Sequence, residues 1–184
     1  VSQTLDAIAL RCREIEVLPS TPRSLCQVIN RVLFHEHGFR GNIDDYEDPE
    51  NSFLSSVLRR KKGIPISLCL TYMLVAERLN LQLEPIALPG HFLVGCFHGE
   101  LPFYIDPFER GRIRSVAEVQ AMIVSTREED DFHYLAPAPV AEVLCRVCRN
   151  LTHHYNLKGD VRRSRQFARF VVEFEEVYRR HSEI

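Results

Sequence analysis

The 184-residue sequence predicts an α+β fold, mostly helical, with a small antiparallel sheet packed on a buried central helix and a C-terminal helical hairpin. Three observations predict it. The stretch IPISLCLTYMLVAERLNL, residues 64–81, is apolar almost all round, broken only by Ser67, Thr71, Glu77, Arg78 and Asn80, so it should be buried on most sides. Residues 91–97 and 101–106 are apolar runs separated by HGE, the pattern of a β-hairpin. Residues 138–160 and 162–181 read as two long helices joined around Gly159.

The other elements follow in order. Leu5, Ile8, Ala9, Cys12 and Ile15 fall on one side of a helix over 3–17. Thr21 is a natural N-cap, Pro22 suits a first helical position, and Gly38 marks the stop of the next helix. RGNIDDYEDPE, residues 40–50, is a polar, turn-rich loop. NSFLSSVLRRKKG then gives a short helix opened near Asp48 to Asn51 and closed by Gly63. Pro65 sits at the first position of the central helix. LEPIALPG is a short extended segment, and SVAEVQAMI is a helix. Residues 1–136 should form the main domain, and 137–184 an αα-hairpin packed on the same core.

Composition excludes several classes of function. With 45% hydrophobic and 26% charged residues and no low-complexity tract, the chain folds. A net charge of −2 gives no electrostatic case for binding nucleic acid. The compact basic run Arg59-Arg60-Lys61-Lys62 falls at a helix end, where cations complement the dipole. Six cysteines (12, 26, 69, 96, 145 and 148) lie among apolar neighbours without a secretory signal, a usage that suits a reducing cytoplasm. Cys145-x-x-Cys148 has no second pair to complete a zinc site and reads as two small buried residues on a helix. No apolar stretch is long enough to cross a bilayer, and neither a metal nor an organic cofactor is called for. The first residue is Val, so the chain should be a piece of something longer.

The hairpin carries the chemistry. If its turn centres on His98-Gly99, Cys96 faces Leu101, Val94 faces Phe103 and Phe92 faces Ile105, an apolar set on one face. The same register sets His91 opposite Asp106 on the other face. A carboxylate beside an imidazole fixes its tautomer, raises its basicity and leaves the second ring nitrogen for a nucleophile. The plainer alternative is that His91 merely opens a strand after Pro-Gly while Asp106 caps an Asp-Pro turn.

The stretch GNIDDYEDPENSFLSSVLRRKKGIPISLCLTYMLVAERLNLQLEPIALPGHFLVGCF, followed by YIDPFERGR, resembles the SirB-type transglutaminase-like family. That family shares N-S-x-L, V-L-x-R-x-G-I-P-I-S-L, L-P-G-H-F-L-V and D-P-F in this order, and the likeness runs from about residue 5 to 182, the final helix pair resembling its helical-repeat (TPR-like) tail. It implies a papain-like core in which a Cys at the start of a buried helix works with His91 and Asp106. By the same resemblance the Cys position falls at or near Pro65, which has no nucleophile. Ser67 and Cys69 are the nearby substitutes, and at 100° per residue they point roughly 200° apart, so both cannot face one dyad. Two functions remain open. In one, Cys69 or Ser67 is the nucleophile of an acyl-transfer enzyme, with His91 as base, Asp106 as its orienter and helix-start N–H groups holding the oxyanion. In the other, the cleft at His91 and Asp106 binds a peptide or protein segment without thiol catalysis. Related sequences in eukaryotic F-box proteins favour recognition by analogy, and the missing first-turn Cys favours it too.

Overall fold

The computed structural model describes residues 1–99, 101–125 and 132–182. Helix α1 (Ser2–Ile15) turns Leu5, Ile8, Ala9 and Cys12 inward, as their spacing requires. Thr21 caps α2 (Pro22–Asn30) reciprocally: its hydroxyl accepts from the Ser24 N–H, and the Ser24 hydroxyl accepts from the Thr21 N–H. The helical path continues through a wider π-helical turn, Arg31–Glu36, and ends at Gly38, where φ is +74°.

The loop after it is tighter than its polar composition suggests. β1 (Arg40–Gly41) pairs in parallel with β2 (Lys62–Gly63), a ribbon too short to show any alternation in sequence. Between them, Asp48 caps a 3-10 turn at Pro49–Ser52 by accepting from the Glu50 N–H, and α3 (Leu54–Arg60) ends at the left-handed Lys61. Within the basic run, Arg59 is exposed, but Arg60 pairs with Asp48 at 2.7 Å and ties the helix end to the loop.

Helix α4 (Pro65–Arg78) is the central element. It buries Pro65, Ile66, Ser67, Leu68, Cys69, Thr71, Tyr72, Val75 and Ala76, and the Tyr72 hydroxyl donates to the Cys26 carbonyl at 2.9 Å. Its buried leucine, isoleucine and valine side chains each contribute about 1.5–3 kcal/mol of burial. Against it lies an antiparallel sheet of β3 (Glu84–Leu88), β4 (His91–Cys96), β5 (Phe103–Asp106) and β6 (Arg112–Arg114), in that order. Phe92, Val94, Cys96, Phe103 and Ile105 join the core around α4. The opposite face, with Ile86, Leu88, Leu93 and Tyr104, is covered by Val119 and Ile123 of α5 (Val116–Ser125).

The register differs from the expected one by two residues. Val94 faces Ile105 and Cys96 faces Phe103, so His91 is not directly opposite Asp106. The connection is longer than a tight turn: Leu101, expected in the sheet, is 80% exposed outside it. Glu100, part of the expected HGE turn, lies outside the described residues. A slip of two preserves the alternation, so the apolar set stays on one face.

Helices α6 (Val140–Leu157) and α7 (Val161–Ser182) fold back on each other around Gly159, with Cys145 and Cys148 buried. The Ala138 N–H donates to the Pro85 carbonyl at 2.8 Å and moors the segment before α6 to β3. Among the described residues no helix is long and apolar enough to cross a membrane.

Candidate functional site

His91 and Asp106 are each set in place by a turn. Leu88 pairs with His91, and the two residues between them are Pro89, with its fixed φ, and Gly90, at φ +66°. That tight reversal starts β4 at His91. Asp106 closes β5 and organises the turn DPFERG: its Oδ1 accepts from the Glu109 N–H at 3.2 Å, and its carbonyl from the Gly111 N–H at 2.8 Å. The Asn30 amide of α2 holds the far end of this turn through the Gly111 carbonyl, at 2.7 Å. The two-residue slip makes the pair diagonal rather than opposite. A diagonal step is within reach of an imidazole, and Nε2 of His91 lies 2.9 Å from Oδ2 of Asp106.

The sequence reading missed a third member, Arg114. It lies on β6 with a side chain 9% exposed, and its Nη2 and Nε donate to Asp106 Oδ2 at 3.0 and 3.3 Å. It also reaches Glu109 at 2.9 Å. Burial of the fully enclosed Asp106 pushes its pKa up. The His91 bond, Arg114 and the Glu109 N–H outweigh that and hold it below the usual carboxylate value. An ionised carboxylate only accepts, so Nε2 of His91 donates to it, and in a neutral imidazole Nδ1 is then the nitrogen with the free lone pair. Among the described residues Nδ1 has no hydrogen-bond partner, and the side chain is 20% exposed. The arrangement therefore presents an oriented acceptor that can take a hydrogen bond or a proton.

The two sequence candidates for a nucleophile are not hydrogen-bonded to this pair. Ser67, in the first turn of α4, accepts from the Ile64 N–H at 3.1 Å and lies 2.6 Å from the Asn51 carbonyl, to which it donates. It closes the helix start and anchors the loop before α3. Cys69 is fully buried with its Sγ 3.3 Å from the Phe92 carbonyl. Burial, with the Asp106 charge adding to it, pushes this thiol well above its ordinary pKa. Pro65 is buried at the first position of α4.

Aromatic rings and a cation lie close to His91. The Phe108 ring stands edge-on to the imidazole with centroids 6.3 Å apart, and Tyr46 stands edge-on to Phe108 at 6.1 Å. Phe108 lies so close over Gly41 that a Cβ there would sit 2.5 Å from the ring. Tyr46 is held by its loop: the buried Asn51 amide donates to the Asp45 and Tyr46 carbonyls, and Asn42 donates to Asn51 Oδ1 at 2.9 Å. From α6, Arg146 donates to the Leu88 carbonyl at 2.5 Å and stacks over Phe92 at 5.8 Å, both flanking His91. The alternating Arg-Ile-Arg after DPFERG was the one local signal for β6 and Arg114; nothing local marked Tyr46, Phe108 or Arg146. Among the described residues no group of three His, Cys, Asp or Glu side chains is placed to hold a metal ion.

Comparison with known proteins bears on this core. Residues 1–149 match the Transglutaminase-like superfamily. A UPF0162 protein of Xylella fastidiosa is 36% identical over 148 residues, 77% of this chain and 52% of that protein. The chain thus spans about half the length of that relative. A UPF0162 protein of Vibrio cholerae is 38% identical over 95 residues, covering 51% of this chain and 35% of its own. F-box only protein 21 of Mus musculus is 38% identical over 103 residues, 52% of this chain but 16% of that protein. No solved structure gives a significant match. With its small sheet on a buried helix and a match over most of its length, the chain belongs to the transglutaminase-like superfamily.

Proposed function

We propose that this domain is a SirB-type, divergent member of the superfamily that recognises a peptide or protein segment through the cleft around His91 and Asp106, without thiol catalysis. The observation that carries the reading is the state of Cys69: buried, turned to a backbone carbonyl and held protonated. Ser67 supports it, its hydroxyl being committed to the helix start, and Pro65 removes the first-turn position. His91 then serves as a fixed hydrogen-bonding group rather than a base. The TPR-like α6–α7 pair contributes Arg146, which donates to the Leu88 carbonyl beside His91. With six cysteines in apolar surroundings, the domain works in a reducing cytoplasm. The similar stretch in F-box only protein 21 occupies a small part of a longer protein named for another motif, which suits a recognition module.

One observation favours the alternative, an acyl-transfer enzyme using Cys69 or Ser67: Nδ1 of His91, without a partner among the described residues, on a ring oriented by Asp106. A single experiment separates the two. A library of random heptapeptides is passed over the immobilised protein and over immobilised His91→Ala, and retained peptides are weighed by mass spectrometry. Recognition predicts retention that depends on His91, with peptides unchanged in mass. Peptides that return deamidated, cleaved or cross-linked would establish the enzyme, and retention equal to that of His91→Ala would overturn the recognition reading.

A further inference from the structure

Arg146 is a cation that closes no ion pair among the described residues. It projects from α6 into the end of the sheet and is partly buried. Its neighbours are the Leu88 carbonyl and the Phe92 ring face, and Glu142, one turn back on α6, and the Tyr46 phenol act on it through charge. Leu88 pairs with His91 across the turn and Phe92 follows His91 on β4, so the guanidinium lies beside the backbone that carries His91. One of its five N–H donors is used by Leu88. Burial draws its pKa below the ordinary arginine value, the mark of a cation that its surroundings do not fully solvate.

A structural role accounts for part of this: the carbonyl bond and the stacking dock α6 on the sheet. It does not explain why a half-buried site uses a guanidinium with donors to spare, when an uncharged side chain could pack there without the desolvation cost. Tyr46, a residue 41% exposed and near enough to Arg146 to interact with it through charge, carries a second donor in its hydroxyl.

Resting on the recognition reading, we infer that the His91 site binds a peptide carboxylate, paired with the Arg146 guanidinium and assisted by the Tyr46 hydroxyl. Guanidinium and carboxylate match as a charge-assisted, two-point pair, and low local polarity strengthens the match. The carboxylate belongs either to an Asp or Glu side chain or to a chain terminus.

The same heptapeptide library decides this when it is prepared in two forms, one with free and one with amidated C-termini. Retention on His91 should be enriched in carboxylates. Enrichment of Asp or Glu in both forms identifies a side-chain group; retention of the free form alone identifies the terminus. Arg146→Gln should lower affinity for a selected peptide by about tenfold or more, and Arg146→Lys should restore part of it. Should Arg146→Gln fail to fold, Tyr46→Phe, which removes only the hydroxyl, should still weaken binding several-fold, by roughly the worth of one hydrogen bond. His91-dependent retention with no preference for carboxylates would overturn this inference and leave recognition standing. Absence of any His91-dependent retention would overturn both.

Discussion

The thiol of Cys69 donates to the carbonyl of Phe92, the residue next to His91 on β4, at 3.3 Å. The sulfur therefore meets the backbone of the strand that carries the imidazole, while the described hydrogen bond of the imidazole runs to Asp106. A nucleophilic thiol is stabilised as thiolate by an imidazole or a helix N-terminus. Cys69 instead lies one turn inside α4, in a dry environment that favours the protonated form.

The Asp106 cluster should govern acid stability. Its carboxyl is shifted down on folding, so its contribution is present above the unfolded value of 3.8 and is lost as pH falls through the lower folded value. Urea unfolding between pH 7 and roughly pH 3 should show stability declining only below about pH 4 for this group, and Asp106→Asn should remove that part of the decline. At neutral pH, Asp106→Asn or Arg114→Met should each cost about 3 kcal/mol, because each leaves a buried charge with less compensation. His91→Ala, at a partly exposed site, should cost about 1 kcal/mol. A His91→Ala loss as large as that of Arg114→Met would contradict this ordering.

Ser67 should behave as a structural group. Ser67→Ala removes the acceptor for the Ile64 N–H and the donor to Asn51, and should lower stability by about 1–2 kcal/mol. The His91 ring signals, followed by NMR, should be unchanged. Displaced His91 ring signals would show that the hydroxyl acts on the imidazole.

Gly41 should be intolerant of a side chain for the sake of Phe108. Gly41→Ala drives a methyl to within 2.5 Å of the ring, so the ring or the β1–β2 ribbon must move, at about 1–3 kcal/mol. Because Phe108 stands edge-on to His91, the His91 ring signals should shift with it. Unperturbed His91 signals in a folded Gly41→Ala protein would show that Phe108 does not support the site.

The sequence revealed most where one local pattern sufficed. The all-round apolar character of residues 64–81 marked α4 as the buried helix, and Pro-Gly before His91 marked the start of β4. The alternation within 91–97 and 101–106 assigned the faces correctly, because alternation survives a slip of two residues. The exact register was hidden, since nothing in HGE distinguishes a tight turn from the longer loop that leaves Leu101 outside. Arg114, Phe108, Tyr46 and Arg146 come to His91 from β6, the DPFERG turn, a loop and α6, and only the packed chain brings such distant segments together.

The central claim, that His91 and Asp106 serve recognition without a thiol, is tested most directly by the rate at which iodoacetamide labels Cys69 in the native protein and in His91→Ala. The account predicts labelling no faster than at the buried Cys12 and Cys26, and unchanged by His91→Ala. Rapid, selective labelling of Cys69 that slows in His91→Ala would contradict it.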